Sequence, residues 1–81
     1  MEYKGHKEIA SVTLFDLRLS EGELMVYEAC IEYVLKNCDE TEIHKITGCS
    51  SKEELQSYQD DLKNLIKSYV WKEYLPDKLK E

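Results

Sequence analysis

Three cysteines, two histidines and seventeen carboxylates are the residues of this 81-residue chain with chemistry to offer. Cys30, Cys38 and Cys49 are odd in number and lack CxxC spacing, so they predict free thiols in a reducing compartment rather than a disulfide framework. Cys38, His44 and Cys49 match no common zinc spacing, and a fourth ligand would have to be Cys30 or His6. Cysteines on helical stripes serve as small apolar residues, and no metal is expected. Nucleophilic catalysis finds no Ser-His-Asp order, nucleophile elbow, HExxH or glycine-rich phosphate loop. A chain this short also has little room to enclose a pocket of several hundred cubic ångströms. The residues predict a binding protein, not an enzyme, and no cofactor.

The carboxylates are more informative because they are concentrated. The chain holds 17 acids against 11 bases, a net charge of −6 and a pI near 4.9. Between Ser20 and Leu62 stand Glu21, Glu23, Glu28, Glu32, Asp39, Glu40, Glu42, Glu53, Glu54, Asp60 and Asp61, opposed only by Lys36, Lys45 and Lys52. Phosphate neutralisation by Lys and Arg supplies the affinity of nucleic-acid and anionic-membrane binders, so direct binding to either is not expected. On a helix Glu28 and Glu32 stand about 6 Å apart, and Glu53–Asp60 and Glu54–Asp61 about 10.5 Å apart. Like charges one turn apart weaken a helix slightly, so helix stability does not explain them. Two readings follow: a solvated face that keeps a small domain soluble, or a row of charges that imitates nucleic-acid phosphates. The second makes Glu28, Glu32, Asp39, Glu40, Glu42, Glu53, Glu54, Asp60 and Asp61 the partner-binding residues, on outward faces.

One small domain must position these acids, and three glycines and one proline suit a mainly helical one. Residues 1–7 are short and polar, with Gly5 a candidate bend. Residues 8–19 are rich in β-formers, with Ser11, Thr13, Phe15, Leu17 and Leu19 on one face at period two, which predicts a strand. The same residues also fit a helical stripe of Ile9, Val12, Phe15 and Leu19. A lone strand needs a mate: a second copy of the chain across a two-fold axis, expected here, or residues 1–7 folding back as a hairpin. Capping boxes at Ser20/Glu23, Asp39/Glu42 and Ser51/Glu54 open three helices over 20–38, 39–47 and 52–75. The apolar stripes carry Leu24, Tyr27, Ile31, Val34, Leu35 and Cys38, then Ile43 and Ile46, then Leu55, Tyr58, Leu62, Leu65, Ile66 and Tyr69. Residues 76–81 form a tail after the helix. No apolar run approaches the roughly 18–20 residues of a membrane span. The fold class expected is mainly α: one strand and a trihelical core, the strand paired across a homodimer.

Glu42-Ile43-His44-Lys45-Ile46-Thr47-Gly48-Cys49-Ser50 resembles the first helix and turn of helix-turn-helix regulators. The resemblance puts Ile43 and Ile46 in the core, Gly48 at the left-handed turn and Cys49 as a small apolar plug. His44 stands where such motifs favour alanine. The following helix opens Lys52, Glu53, Glu54, Gln56, Ser57, Gln59, Asp60, Asp61, four acids against one base on the surface that would meet DNA. This leaves a degenerate helix-turn-helix module, a transcription adaptor or protein-interaction domain, as the alternative function.

In size, charge and layout the whole chain resembles bacteriophage host-takeover proteins, and among them the acidic DNA mimics that inhibit the bacterial nucleoid protein HU. The resemblance implies a homodimer in the bacterial host cytoplasm, at the nucleoid, blocking the DNA-binding surface of a basic HU-like partner.

Overall fold

The computed structural model describes residues 1–80. Two antiparallel strands, β1 (Glu2–Ile9) and β2 (Val12–Arg18), precede three helices, α1 (Glu21–Asn37), α2 (Glu40–Thr47) and α3 (Lys52–Tyr69), and two 3-10 turns at Lys72–Tyr74 and Asp77–Leu79. The expectation of one strand paired across a homodimer is therefore wrong. Residues 1–7, expected as a loose polar terminus, instead give most of the second strand, which runs from Glu2 to Ile9 and folds back on β2 as the hairpin weighed as the alternative. The polar residues Glu2, Lys4, Lys7 and Glu8 hide this strand from a hydrophobicity reading, because backbone hydrogen bonding, not burial, holds it.

A two-residue turn at Ala10 and Ser11 joins the strands, and both residues adopt positive φ, 50° and 67°. That is the backbone of the tight hairpin turns whose twist matches the strands, here built without glycine or asparagine. A register shift lies between Tyr3 and Gly5, and Gly5 takes φ 133° there. The extra residue resets the alternation, so Tyr3 pairs with Leu17, and His6 with Phe15, on one face. The Tyr3 hydroxyl is hydrogen-bonded to His6 Nδ1, and the His6 ring lies 6.0 Å from that of Phe15. Ile9, Val12 and Leu14 take the opposite face, among Lys7, Asp16 and Arg18. Every β2 residue is exposed.

The helices open where polar caps stand. Ser20 and Asp39 each close a full capping box with Glu23 and Glu42. Ser51 accepts from the Glu54 amide, but the Glu54 side chain turns back to the Ser50 amide, 2.6 Å away. Gly48 ends α2 in the left-handed conformation at φ 80°. The helix expected over 52–75 stops at Tyr69, and the chain then crosses back in the two short turns.

Two apolar clusters hold the helices. Ile43, Cys49 and Leu55 pack beneath Ile31, Val34, Leu35 and Cys38 of α1 and its cap. Ile66, Leu75 and Leu79 pack with Leu24, Met25 and Val70 at the other end. Tyr27, Tyr58, Tyr69 and Ile46, placed on core stripes by their period, are exposed. With only α1 and α3 packed extensively, each helix has one covered side, and the stripe is wider than its cover. The hairpin joins neither cluster. It widens the molecule to 41 × 34 × 16 Å and its radius of gyration to 14.4 Å, against about 12 Å for a compact chain of this length. No helix of the described residues is long and apolar enough to cross a membrane.

Candidate functional site: the acidic helical body

Side chains of residues 1–19 cancel (Glu2, Glu8 and Asp16 against Lys4, Lys7 and Arg18), so the whole formal charge of −6 belongs to the residues after the hairpin. Within that body the nine acids assigned to partner binding take three different roles.

Glu28 is the principal correction. It was placed on an outward face, and its side chain is fully buried between α1 and α3. Gln59 Nε2 donates to one carboxylate oxygen at 2.8 Å, and the Lys78 ammonium, from the last turn, donates to the other. Lys78 also donates to Glu32 Oε2 at 3.1 Å. Burial alone would lower the Lys78 pKa, but the hydrogen bonds to Glu28 and Glu32 raise it overall. The Lys78 hydrogen bond holds Glu32 below its ordinary value. One cation thus answers two carboxylates across 50 and 46 residues of sequence. Neither acid faces a partner freely. The period placed Glu28 on α1 correctly enough to pair it with Glu32. Nothing in it shows that residue 78 returns to that turn.

Asp39, Glu40, Glu42 and Glu54 are exposed but engaged. Asp39 and Glu42 exchange the capping bonds of α2, at 2.8 and 3.1 Å. Glu40 Oε2 accepts from the Lys52 amide at 3.3 Å, which draws the start of α2 beside the start of α3. Carboxylates there meet unpaired amides and the positive ends of two helix dipoles, which explains their residue types on stability grounds. They keep their charge toward solvent.

Glu53, Asp60 and Asp61 remain on the outer side of α3. Glu53 and Asp60 share a shallow cleft of about 340 Å³ with Leu35, Lys52, Gln56 and Ser57. Asp60 accepts from Gln56 Nε2 at 3.1 Å. Asp61 borders a second depression with Asn64, Leu65, Ser68 and Tyr69. The fold brings together the α2 and α3 starts with Glu53, runs on to Asp60 and Asp61, and excludes Glu28.

No protein-family model, curated protein or solved structure matches the chain. Its chemistry has to be read from its own residues. Among those described, no three His, Cys, Asp or Glu side chains are placed to hold a metal. Cys30 is exposed on α1, Cys38 caps it, and Cys49 is buried under α2. His44 Nδ1 is hydrogen-bonded to the Cys49 carbonyl at 3.1 Å, across the turn that Gly48 makes.

Sequence reasoning missed one exposed surface. The aromatic face of the hairpin depends on the Gly5 bulge, and strict alternation would have placed Tyr3 with Lys7 and Ile9. The available signal was a lone glycine between Lys4 and His6, two residues after an aromatic.

Proposed function

We propose that this protein is an acidic binding module that covers the DNA-binding surface of a basic, HU-like protein and denies it DNA. The supporting observation is the separation of charge: a neutral hairpin, and a body whose carboxylates gather at the adjoining starts of α2 and α3 and continue along α3. A positive cleft is attracted to such a surface over a Debye length, about 8–10 Å in physiological salt. The contact set is smaller than the sequence suggests. Glu53, Asp60 and Asp61 carry it, with Asp39, Glu40, Glu42 and Glu54 contributing field while capping their helices. Glu32 is shared with Lys78, and Glu28 takes no part.

The experiment is competition between this protein and DNA for purified HU, followed by fluorescence anisotropy of labelled DNA. Replacing Glu53 with Gln and Asp60 and Asp61 with Asn leaves every helix cap in place. Each exposed charge contributes about 0.5–1 kcal/mol, so the triple variant should compete about 10- to 100-fold less well, chiefly through a slower association rate. Raising salt from 50 to 300 mM should weaken the unmodified protein in the same sense. Equal competition by the variant overturns charge mimicry.

A second reading, an adaptor that docks through apolar contacts, is favoured by the exposed Leu65 and Tyr69 beside their depression on α3. It requires a partner whose capture is indifferent to salt and to the triple variant, and sensitive to Tyr69→Ser.

A further inference from the structure

Residues 71–80 cross back over the paired helices as a strap that three side chains anchor. Leu75 and Leu79 are buried with Ile66 against Leu24 and Met25, and the Lys78 ammonium reaches Glu28 and Glu32 on α1. The backbone of the strap keeps to itself. Its hydrogen bonds run from Tyr74 to Trp71, Leu75 to Lys72, Leu79 to Pro76 and Lys80 to Asp77. Among the described residues no backbone bond joins it to a helix. Its two aromatics, Trp71 and Tyr74, stay 71% and 62% exposed. A cleft of about 210 Å³ is left where Leu75 and Leu79 meet Lys67 and Val70. A segment held by side chains alone, over a groove it does not fill, belongs to the least stable class of local structure.

The seat under the strap is more selective than its attachment requires. Glu28 is fully buried, with Gln59 on one carboxylate oxygen and Lys78 on the other. An aliphatic residue in its place would hold the strap at least as well, because a buried ion pair is a weak source of stability. A buried carboxylate that loses its cation is strongly destabilising. Glu28 thus makes the seat intolerant of vacancy and of any occupant without a positive charge.

We infer that the groove between α1 and α3 is a receptor for a basic protein segment carrying a lysine or arginine between aliphatic side chains, and that residues 71–80 are its resident, displaceable occupant. The strap displays the pattern itself. Leu75, Lys78 and Leu79 stand at i, i+3 and i+4, two aliphatics and one cation on two successive turns. Charge complementarity sets the class of partner: two carboxylates and an amide line the seat, and among the described residues Lys78 is the cation bonded to them. An acidic or purely apolar segment would leave Glu28 buried without a counter-charge. The mechanism is therefore exchange, with one ammonium or guanidinium leaving as another arrives. Because the strap is tethered, it competes at an effective concentration in the millimolar range. The seat lies apart from Glu53, Asp60 and Asp61, so this inference stands or falls independently of DNA mimicry.

The test vacates the seat in the full chain with Lys78→Glu, which turns the anchor into a repelled charge. The probe is the peptide acetyl-ALAAKLA-amide, with arginine and glutamate versions at the lysine position. At millimolar concentration the lysine and arginine peptides should raise the urea midpoint of the variant and shift the amides of Glu28, Gln59 and Ile66. The glutamate peptide should do neither. The unmodified chain should bind the lysine peptide at least about tenfold more weakly, since its seat is already filled. Equal responses to the lysine and glutamate peptides overturn the proposal. So does equal binding by the unmodified chain, or shifts that avoid the groove. If Lys78→Glu does not fold alone, the same cassette appended to its C-terminus through a flexible linker decides. Folding restored by the lysine cassette and not by the glutamate one supports the receptor, and no difference between them overturns it.

Discussion

Ile43 and Phe15 are both large apolar residues, and the chain treats them in opposite ways. Ile43 is wholly removed from water between α1, α2 and the start of α3, while Phe15 keeps 61% of its surface exposed. The difference runs through both regions. The body spends its apolar residues on two small clusters, satisfies its one buried carboxylate twice, and carries all the net charge. The hairpin has no cluster and no net charge, and rests on backbone pairing, a tight turn and side chains matched across the strands. The same 81 residues thus keep net charge and buried apolar surface in one region, and exposed apolar surface without net charge in the other.

The comparison is broken most forcibly at Ile43. Ile43→Ala removes a fully buried side chain beneath α1 and should cost about 3–5 kcal/mol in urea unfolding, since so small a core has little to collapse into the gap. A loss below about 1 kcal/mol would mean that the body is no better packed than the arm.

Next comes the ion cluster. Lys78→Ala leaves Glu28 buried with Gln59 alone and should cost about 2–4 kcal/mol, less than a fully enclosed pair because the lysine is partly open to water. The pH dependence follows from the two shifts. The Glu32 pKa is lowered in the folded state, so its contribution is complete above the ordinary carboxylate range and lost as pH falls through the depressed value. The Lys78 pKa is raised, so its contribution is complete below the ordinary lysine value of about 10.5 and lost as pH rises through the higher folded value. Unfolding curves from pH 2 to 12 should show both losses in the unmodified protein, and smaller ones in Lys78→Ala.

The arm should respond to its turn. Ala10→Asn with Ser11→Gly suits both positive φ values and should stabilise the hairpin by about 1–2 kcal/mol. Amide exchange should slow in residues 2–18 and stay unchanged in α1 and α3. Slowing in the helices as well would show that the two regions unfold as one.

The smallest effect sharpens the contrast. Phe15→Ala should shift unfolding by less than about 0.5 kcal/mol. A cost near that of Ile43→Ala would place Phe15 in a core.

What could be read beforehand depended on how local the cause was. Ser20, Asp39 and Gly48 act within three or four residues of themselves, so the helix starts and the left-handed turn are written in adjacent letters. β1 was ranked only as an alternative because its residues are polar and its partner is a backbone, and the homodimeric strand pairing preferred to it was an answer to a problem the chain solves internally. Tyr58 and Tyr69 keep a helical period, but a period gives a direction and not a cover. Among the acids, Glu53, Asp60 and Asp61 were legible because they lie off the apolar stripe of α3 and stay exposed. Glu28 was illegible because its fate is decided by Gln59 and Lys78, which no spacing rule connects to it.

The reach of Lys78 back to Glu28 also orders events in time. As the chain grows, α1 and α3 can be complete through Tyr69 while the carboxylate between them has only a neutral amide for company. Closing the two helices at that stage would strand a charge in a dry interior, so the pair should stay ajar until residue 78 has been added. A contact spanning 50 residues is slow to find by chance. Here it is the latch, and the rate at which the last segment docks should set the rate at which the helices finally close.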